Sequence, residues 1–252
     1  MQIQFLGTGT STGVPQIGCT CAVCRSGDER DKRLRSSVLI SVNDKNILID
    51  CGPDFRQQML RSGTTRLDAV LLTHEHYDHT AGLDELRNFS KEMPVKVYAE
   101  PSVLANLRRR MDYCFVERPF PGVVQLDLCE ISDLQSFSVG EIAIQPIRVM
   151  HYLLPIVGYR IGDFAYITDM LTLPHSEYAK LAGLDTLVIN ALRHRPHISH
   201  QTLGDALAVI ERVAPRRAYI THMSHGIGIH AEQSLQLPAN VQLAYDTLTL
   251  TI

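Results

Sequence analysis

The chain has 252 residues, of which 45% are hydrophobic and 20% are charged, and its formal net charge is −3. Its length suits one layered domain over residues 1–252, and the lack of any apolar run near 18–20 residues argues against a transmembrane helix. A slightly negative chain also lacks the broad basic surface that polymeric nucleic acid usually requires, so we expect a small anionic partner and no nucleic acid.

Hydrophobic periodicity predicts strands and helices that recur in two halves of the chain. The first residues, Gln2-Ile3-Gln4-Phe5, indicate a strand and not a basic and apolar leader, so we expect a cytoplasmic chain. Strands are predicted near 2–6, 36–42, 46–50, 68–73, 95–98, 141–149, 155–161, 164–168, 185–190, 217–221 and 241–245. Helices are predicted near 54–61, 101–110, 175–182, 202–213 and 231–236.

A cysteine cluster lies in the loop after the first predicted strand. Cys19, Cys21 and Cys24 form a C-x-C-x2-C pattern, which is close to the spacing of tetrahedral zinc ligands. His225 is the best candidate for a fourth ligand because it follows another histidine by three residues. We therefore expect one structural Zn²⁺ in a metal-binding loop at 18–25. Redox sensing is the alternative.

The most informative segment is the histidine-rich turn that follows the strand predicted at 68–73. It puts His74, His76, Asp78 and His79 within six residues. His74 and His76 point to the same side of an extended backbone. This spacing of mixed ligands is typical of a site for two divalent ions about 3.5–4 Å apart, and the residue types suit Zn²⁺, Mn²⁺ or Fe.

Three later polar residues could converge on this turn, because each follows a predicted strand. They are His151, Asp169 and His222. Side chains at the ends of neighbouring strands can meet at one edge of a sheet. Taken alone, Asp169 could equally be a helix N-cap, and an isolated histidine such as His151 is more often structural.

The histidine-rich turn resembles the signature of the metallo-β-lactamase superfamily, and the resemblance extends over nearly the whole chain. It implies an α/β fold built as a four-layer αββα sandwich. It also implies two divalent metal ions in the active site, with manganese as the working metal. Carried over to this sequence, one ion takes His74, His76 and His151, the other takes Asp78, His79 and His222, and Asp169 bridges both.

A further histidine narrows the reaction that the resemblance implies. His200, just before the helix predicted at 202–213, lies in a segment similar to the histidine-bearing segment of the phosphodiesterase branch. There the histidine lies beside the two metals and protonates the leaving oxygen, a role that raises the rate about 10²–10⁴-fold. The resemblance therefore makes His200 and Asp78 the catalytic residues. The alternative for His200 is an ordinary residue of the first helical turn.

The cysteine loop is similar to that of phosphodiesterases of phosphonate breakdown. This resemblance implies hydrolysis of 5-phospho-α-D-ribosyl 1,2-cyclic phosphate, a small sugar phosphate, to ribose 1,5-bisphosphate. The basic stretch Arg193, His194, Arg195 and His197 could bind the second phosphate or could be solvated surface. Arg35 is another candidate anion contact. Members of the family often dimerise, so the resemblance leaves a homodimer as one option for this chain.

An RNase Z-like tRNA 3′-processing endonuclease is the second candidate function. It predicts an extended basic arm that grips tRNA, and the sequence contains no insertion of that length and charge. A C–N or thioester hydrolase would leave His200 without a task. A non-catalytic scaffold would have no reason to keep every metal ligand.

Overall fold

The computed structural model describes residues 1–131 and 135–252. Its strands are β1 Gln2–Gly7, β2 Ser37–Val42, β3 Lys45–Ile49, β4 Ala69–Leu71, β5 Val95–Ala99, β6 Leu126–Glu130, β7 Phe137–Val139, β8 Ile142–His151, β9 Leu154–Ile161, β10 Phe164–Tyr166, β11 Thr186–Asn190, β12 Arg217–Thr221, β13 Val241–Leu243 and β14 Thr249–Thr251. They form two seven-stranded sheets, in the orders β14-β1-β2-β3-β4-β5-β6 and β13-β12-β11-β10-β9-β8-β7.

The helices lie between these strands in the chain. The α-helices are α1 Phe55–Ser62, α2 Tyr77–Thr80, α3 Pro101–Arg110, α4 Asp112–Phe115, α5 Leu203–Val213 and α6 His230–Ser234. Short 3-10 helices cover Glu29–Asp31, Leu83–Asn88, His175–Leu181 and His225–Ile227. Within the described parts of the chain, none of these helices combines the length and apolarity needed to cross a bilayer.

Alternation of buried side chains along the strands produces the layers. In β3, Ile47 and Ile49 pack in the core shared by the two sheets, whereas Leu48 packs on the opposite face with residues of α1 and α3. The outer face of the second sheet packs in the same way against Leu203 and Ile210 of α5. Because side chains on a strand alternate between faces, each sheet is apolar on both sides. The result is the predicted four-layer αββα sandwich.

The pairing of strands brings their carboxyl ends to common edges. In the first sheet β3 and β4 are parallel, with Ile49 opposite Leu71. In the second sheet β11 and β12 are parallel, with Asn190 opposite Thr221. Loops that leave these strand ends therefore start side by side.

Two hydrogen bonds join the sheets beside the histidine-rich turn. The Val157 amide donates to the Thr73 carbonyl at 3.1 Å, and the buried Tyr159 hydroxyl donates to the Leu72 carbonyl at 2.5 Å. Leu72 and Thr73 belong to the strand predicted at 68–73, but β4 ends at Leu71. The Leu72 amide still donates to the Tyr98 carbonyl of the first sheet at 2.9 Å, so the chain is bonded to both sheets where β4 ends.

Two glycines allow the loop after β3 to lie against the histidine-rich turn. A Cβ at Gly52 would come 2.1 Å from the Asp78 carbonyl oxygen, and one at Gly82 would come 2.2 Å from the Gly52 carbonyl oxygen. The Cys51 amide donates to the His79 carbonyl at 2.8 Å across the same contact. Any larger side chain at position 52 or 82 would push these two segments apart.

Candidate active site

The polar residues at the strand ends meet at one edge of the sandwich. Asp50 follows β3, and the turn 74–79 follows β4. His151 is the last residue of β8, Asp169 comes three residues after β10, and His222 follows β12. Three of them, Asp50, Asp169 and His222, have positive φ angles of 62°, 56° and 54°. The backbone thus bends sharply where each side chain turns toward the edge.

One group of side chains places four ligand atoms within 4.8 Å of one another: Asp78, His79, Asp169 and His222. His79 Nε2 lies 3.1 Å from both Asp78 Oδ2 and Asp169 Oδ2. His222 Nδ1 lies 3.1 Å from Asp169 Oδ2. These separations match the distance between neighbouring ligand atoms on one tetrahedral ion, about 3.3 Å. The predicted second metal set, with its bridging aspartate, is therefore brought together.

The other predicted set, His74, His76 and His151, is also close. His74 Nε2 lies 3.0 Å from His76 Nδ1, and the His76 and His151 rings are 5.2 Å apart between centroids. The Nδ1 of His151 faces the Asp169 and Ser199 carbonyls at 2.8 and 2.9 Å. Since that nitrogen donates to carbonyls, Nε2 of His151 is the one left to bind a metal.

His200 lies where the two sets meet. Its ring centroid is 4.7 Å from that of His151 and 5.1 Å from that of His222. Its Nδ1 lies 3.8 Å from Asp169 Oδ1. His151, Asp169 and His200 also form a group whose ligand atoms are close enough together to hold an ion. Burial lowers the pKa of His200 to about 3, although the Asp169 carboxylate opposes this. The structure thus places His200 beside the metal ligands, and its role as an acid stays a prediction.

The buried cluster has the donor set and the charge that divalent cations require. His79 Nε2, His200 Nδ1 and His222 Nδ1 are buried, and none makes a hydrogen bond with the residues that the structure describes. Burial opposes a charge on His79, but Asp78, Asp169 and Asp50 together raise its pKa well above the usual value. Asp169 is likewise held ionised, with a lowered pKa, by His222 and His79 in spite of its burial. Unpartnered nitrogens that face ionised carboxylates fit bound metal ions.

Asp50 is the most important residue that the sequence did not single out. Its carboxylate is fully buried and accepts from His79 Nδ1 at 2.7 Å. It also accepts from the Thr73 hydroxyl at 2.9 Å, and that hydroxyl accepts from His74 Nδ1 at 2.9 Å. One carboxylate therefore orients a histidine of each predicted metal set so that Nε2 of each ring is the nitrogen turned toward the other ligands. The sequence signal that could have identified Asp50 is its position as a charged residue directly after the apolar run Ile47–Ile49.

Two further side chains support the ligands. Thr10 Oγ1 lies 3.2 Å from His222 Nε2. This hydroxyl therefore holds the His222 ring at the nitrogen that does not face Asp169. Arg110, from the arginine run on α3, donates to Thr80 Oγ1 at 2.8 Å and to the Glu75 carbonyl at 3.2 Å. That guanidinium therefore braces the histidine-rich turn.

The cysteine loop meets His225 as predicted. The Sγ atoms of Cys19, Cys21 and Cys24 lie 3.2, 3.5 and 3.4 Å from His225 Nδ1. Adjacent ligand atoms on a tetrahedral zinc ion are about 3.5 Å apart. The Cys24 amide donates to the Cys21 sulfur and so lowers the pKa of Cys21 to about 6. The lower pKa favours the thiolate, which is the form that binds zinc. The geometry fits a closed Cys3His site, and its metal stays a prediction.

The basic stretch before His200 is largely engaged within the protein. Arg193 donates to the carbonyls of Arg195 and Pro196, and His194 Nε2 lies 3.0 Å from the Ile227 carbonyl. His197 differs, because its ring centroid lies 5.1 Å from that of His200. The predicted anion contact Arg35 pairs with Asp54 at 3.1 Å. The ring contact with His200 thus places His197 beside the candidate metal ligands.

Comparisons with known proteins agree with this geometry. The model of the β-lactamase superfamily domain matches residues 45–223. The chain belongs to the metallo-β-lactamase superfamily, in its phosphodiesterase branch. A solved diphosphatase from the PhnP family is 39% identical, with a TM-score of 0.92 over 99% of this chain and 96% of that one. Membership of this superfamily implies divalent metal ions at the site.

Two other relatives show different degrees of likeness. A Porphyromonas gingivalis protein named octanoyltransferase is 46% identical over 254 residues, which cover 100% of this chain and 52% of that protein. Our chain spans about half the length of the curated relatives it matches. The short form of human tRNase Z is 20% identical, with a TM-score of 0.74 over 100% of this chain and 99% of that one. That last likeness shows the fold alone.

We predict that Asp50→Asn weakens metal binding in the active site about 10–100-fold. The amide keeps the shape of the side chain but removes the negative charge that faces His79. Competition against a chelator measures the affinity. Asp68→Asn, which breaks a surface pair with Lys45, is the control and should bind metal normally. Equal affinities for the two variants would contradict this role of Asp50.

We predict that Cys21→Ala lowers the zinc content by about one ion per chain and lowers the thermal unfolding temperature, because it removes one of four ligands. Metal analysis of the purified protein measures the loss. Cys129→Ala, on the edge strand β6, should keep all its zinc. An unchanged zinc content in Cys21→Ala would instead assign the loop a redox or inert role.

Proposed function

We propose that this chain is a metal-dependent phosphodiesterase of the PhnP type that opens 5-phospho-α-D-ribosyl 1,2-cyclic phosphate to ribose 1,5-bisphosphate, as a step of phosphonate breakdown. The observation that carries the proposal is the convergence of two ligand sets on one buried edge, with His200 beside both. The likeness to the PhnP-family diphosphatase supports phosphorus as the centre of attack. The net charge of −3 favours a small substrate over polymeric nucleic acid.

Each protein group has a definite task in this reaction. Two adjacent divalent ions, when bound, lower the pKa of a water molecule and neutralise charge on the phosphoryl oxygens. Asp50 holds His74 (through Thr73) and His79 in the orientation that binds those ions. The oxygen of water adds to phosphorus and its proton passes to solvent, while the bond to one sugar oxygen breaks and leaves its electron pair on that oxygen. The Asp169 carboxylate, 3.8 Å from His200 Nδ1, opposes the effect of burial and favours the protonated ring. In the proposed reaction, His200 in that form donates a proton to the departing oxygen.

The name of the P. gingivalis relative raises octanoyl transfer as another activity. This chain spans 52% of that protein, so the transfer activity could belong to the remaining part. Histidines and carboxylates gathered for divalent cations suit hydrolysis of a phosphate ester, in which charge develops on phosphoryl oxygens. We therefore propose phosphodiester hydrolysis for this chain and test the acyl reaction beside it.

A single set of assays separates the candidate functions. Manganese- or zinc-loaded protein is incubated with the cyclic ribosyl phosphate, bis(p-nitrophenyl) phosphate, a pre-tRNA and an octanoyl thioester. We expect hydrolysis of the two small diesters, because a compact buried centre without a tRNA-gripping insertion suits small esters. Trimming of the pre-tRNA would support the RNase Z alternative, and release of octanoate would support acyl chemistry.

We predict that His200→Ala keeps its active-site metals but loses about 10²–10⁴-fold in turnover on the cyclic ribosyl phosphate, whose leaving sugar oxygen needs a proton. Turnover of bis(p-nitrophenyl) phosphate should fall much less, because p-nitrophenolate leaves without a proton. Steady-state kinetics and metal analysis measure both effects. An equal loss on the two substrates would remove His200 from the acid role.

A further inference from the structure

A buried cation lies behind the candidate active site and has no task in the proposed reaction. Arg33 is only 2% exposed. Burial lowers the pKa of its guanidinium to about 10, although Asp246 and Asp31 oppose this effect, so the group stays charged near neutral pH. A buried charge is unfavourable unless its donors are bonded. The partners of this guanidinium therefore indicate what it does.

The hydroxyl of Thr8 is one of these partners. Arg33 Nη1 donates to Thr8 Oγ1 at 2.9 Å and to the Ala244 carbonyl at 2.6 Å. Thr8 is fully buried, and its hydroxyl donates in turn to Asp246 Oδ1 at 2.8 Å. The other carboxylate oxygen, Asp246 Oδ2, accepts from the Leu34 amide at 2.8 Å. Because the hydroxyl both accepts from the cation and donates to the carboxylate, the position of Thr8 is fixed.

The backbone from Thr8 to Thr10 connects this fixed position to the segment after β12. The Met223 amide donates to the Thr8 carbonyl at 2.9 Å, and the Thr10 amide donates to the Met223 carbonyl at 3.0 Å. On the other side, the Gly9 amide donates to the Leu34 carbonyl at 2.7 Å, next to the buried cation in the chain. The segment 8–10 is therefore held between the cation and the residue that follows a candidate metal ligand.

The side chain of Thr10 completes the connection at His222. Thr10 Oγ1 lies 3.2 Å from His222 Nε2, and His222 Nδ1 lies 3.1 Å from Asp169 Oδ2. When Nε2–H donates to the hydroxyl, Nδ1 is the unprotonated nitrogen, which is the form that binds a metal. His222 has a φ of +54°, a region that such a residue rarely adopts. Its orientation therefore depends on the neighbours that hold it.

We propose that Arg33 is a positioning residue for the metal centre. Through Thr8 and the segment 8–10, it holds the His222 ring with Nδ1 turned toward the bound ion, although it contacts neither metal nor substrate. The alternative is that this guanidinium only stabilises the fold, so the test separates metal affinity from stability. The inference rests on the divalent ions of the proposed function and is independent of its substrate.

The affinity of the active site for Mn²⁺ is the direct measurement, by competition against a chelator. Manganese is the probe because the cysteine loop, with its soft thiolates, selects other ions such as zinc. Thr8→Val keeps the shape of the side chain but removes the hydroxyl. It should bind Mn²⁺ about tenfold more weakly, at the low end of the range for residues that orient metal ligands. Thr8→Ser keeps the hydroxyl and should restore the affinity of the parent.

Thr186→Val is the matched control for stability. Thr186 is fully buried at the first position of β11, at the end of that strand opposite the metal centre. Its hydroxyl bonds to Asp185 and to Arg217, so its removal also leaves polar partners unpaired. We expect both valine variants to lower the thermal unfolding temperature by a similar amount, and only Thr8→Val to lose affinity for Mn²⁺.

Chemical rescue assigns the effect to the guanidinium itself. Arg33→Ala removes the cation and leaves a space of its size, so it should also bind Mn²⁺ about tenfold more weakly. Millimolar guanidinium chloride should restore most of the affinity, whereas sodium chloride at the same concentration should not. The two Thr8 variants keep the inference testable if Arg33→Ala fails to fold.

The outcomes distinguish this inference from the proposed function. Parent affinity for Mn²⁺ in Thr8→Val would overturn the inference, and so would an equal loss of affinity in Thr186→Val. Absence of rescue in folded Arg33→Ala would overturn the role of the cation. If the manganese-loaded parent hydrolysed no phosphodiester, the proposed function would fail, while these affinities would still decide the role of Arg33.

Discussion

The candidate active site depends on the hydrogen bonds that the buried Asp50 carboxylate accepts. It binds His79 directly and His74 through the Thr73 hydroxyl, so one negative charge orients a ligand in each metal set. Burial raises the pKa of Asp50, whereas the His79 ring and the Thr73 donors favour its ionised form. An ionised group with these donors is stable in the core only while all of them stay in place. The geometry of the two metal sets is therefore coupled through a residue that binds no metal itself.

The sandwich provides the rigidity that such a site needs. Asp50, Asp169 and His222 each adopt a positive φ, which costs about 1–2 kcal/mol for a residue other than glycine. Each follows a strand whose apolar side chains are packed on both faces. Because the strands are fixed by two layers of packing, the strained residues at their ends cannot relax. The core thus sets the direction in which each ligand points.

The sequence predicted the layers and pointed to residues that the fold brings together, because many of them leave local signals. Buried runs such as Ile47–Ile49 indicate strands, and the turn at 74–79 carries several ligands within six residues. The short edge strands β6, β7 and β14 were not predicted, since three to five partly exposed residues make little periodic signal. Asp50 was missed because its contacts lie 23 and 29 residues away. A side chain's partner across a fold is not encoded in its own neighbourhood.

Cys19 of the cysteine loop and His225 are 206 residues apart in the chain. His222 of the candidate active site lies only three residues before His225. A chain still emerging from the ribosome therefore carries its sulfur ligands and its histidine-rich turn long before their distant partners are made. Each ligand set is complete only after the segment that follows β12, with His222 and His225, has been synthesised. Assembly of both sites therefore has to wait for that segment, which carries one ligand of each.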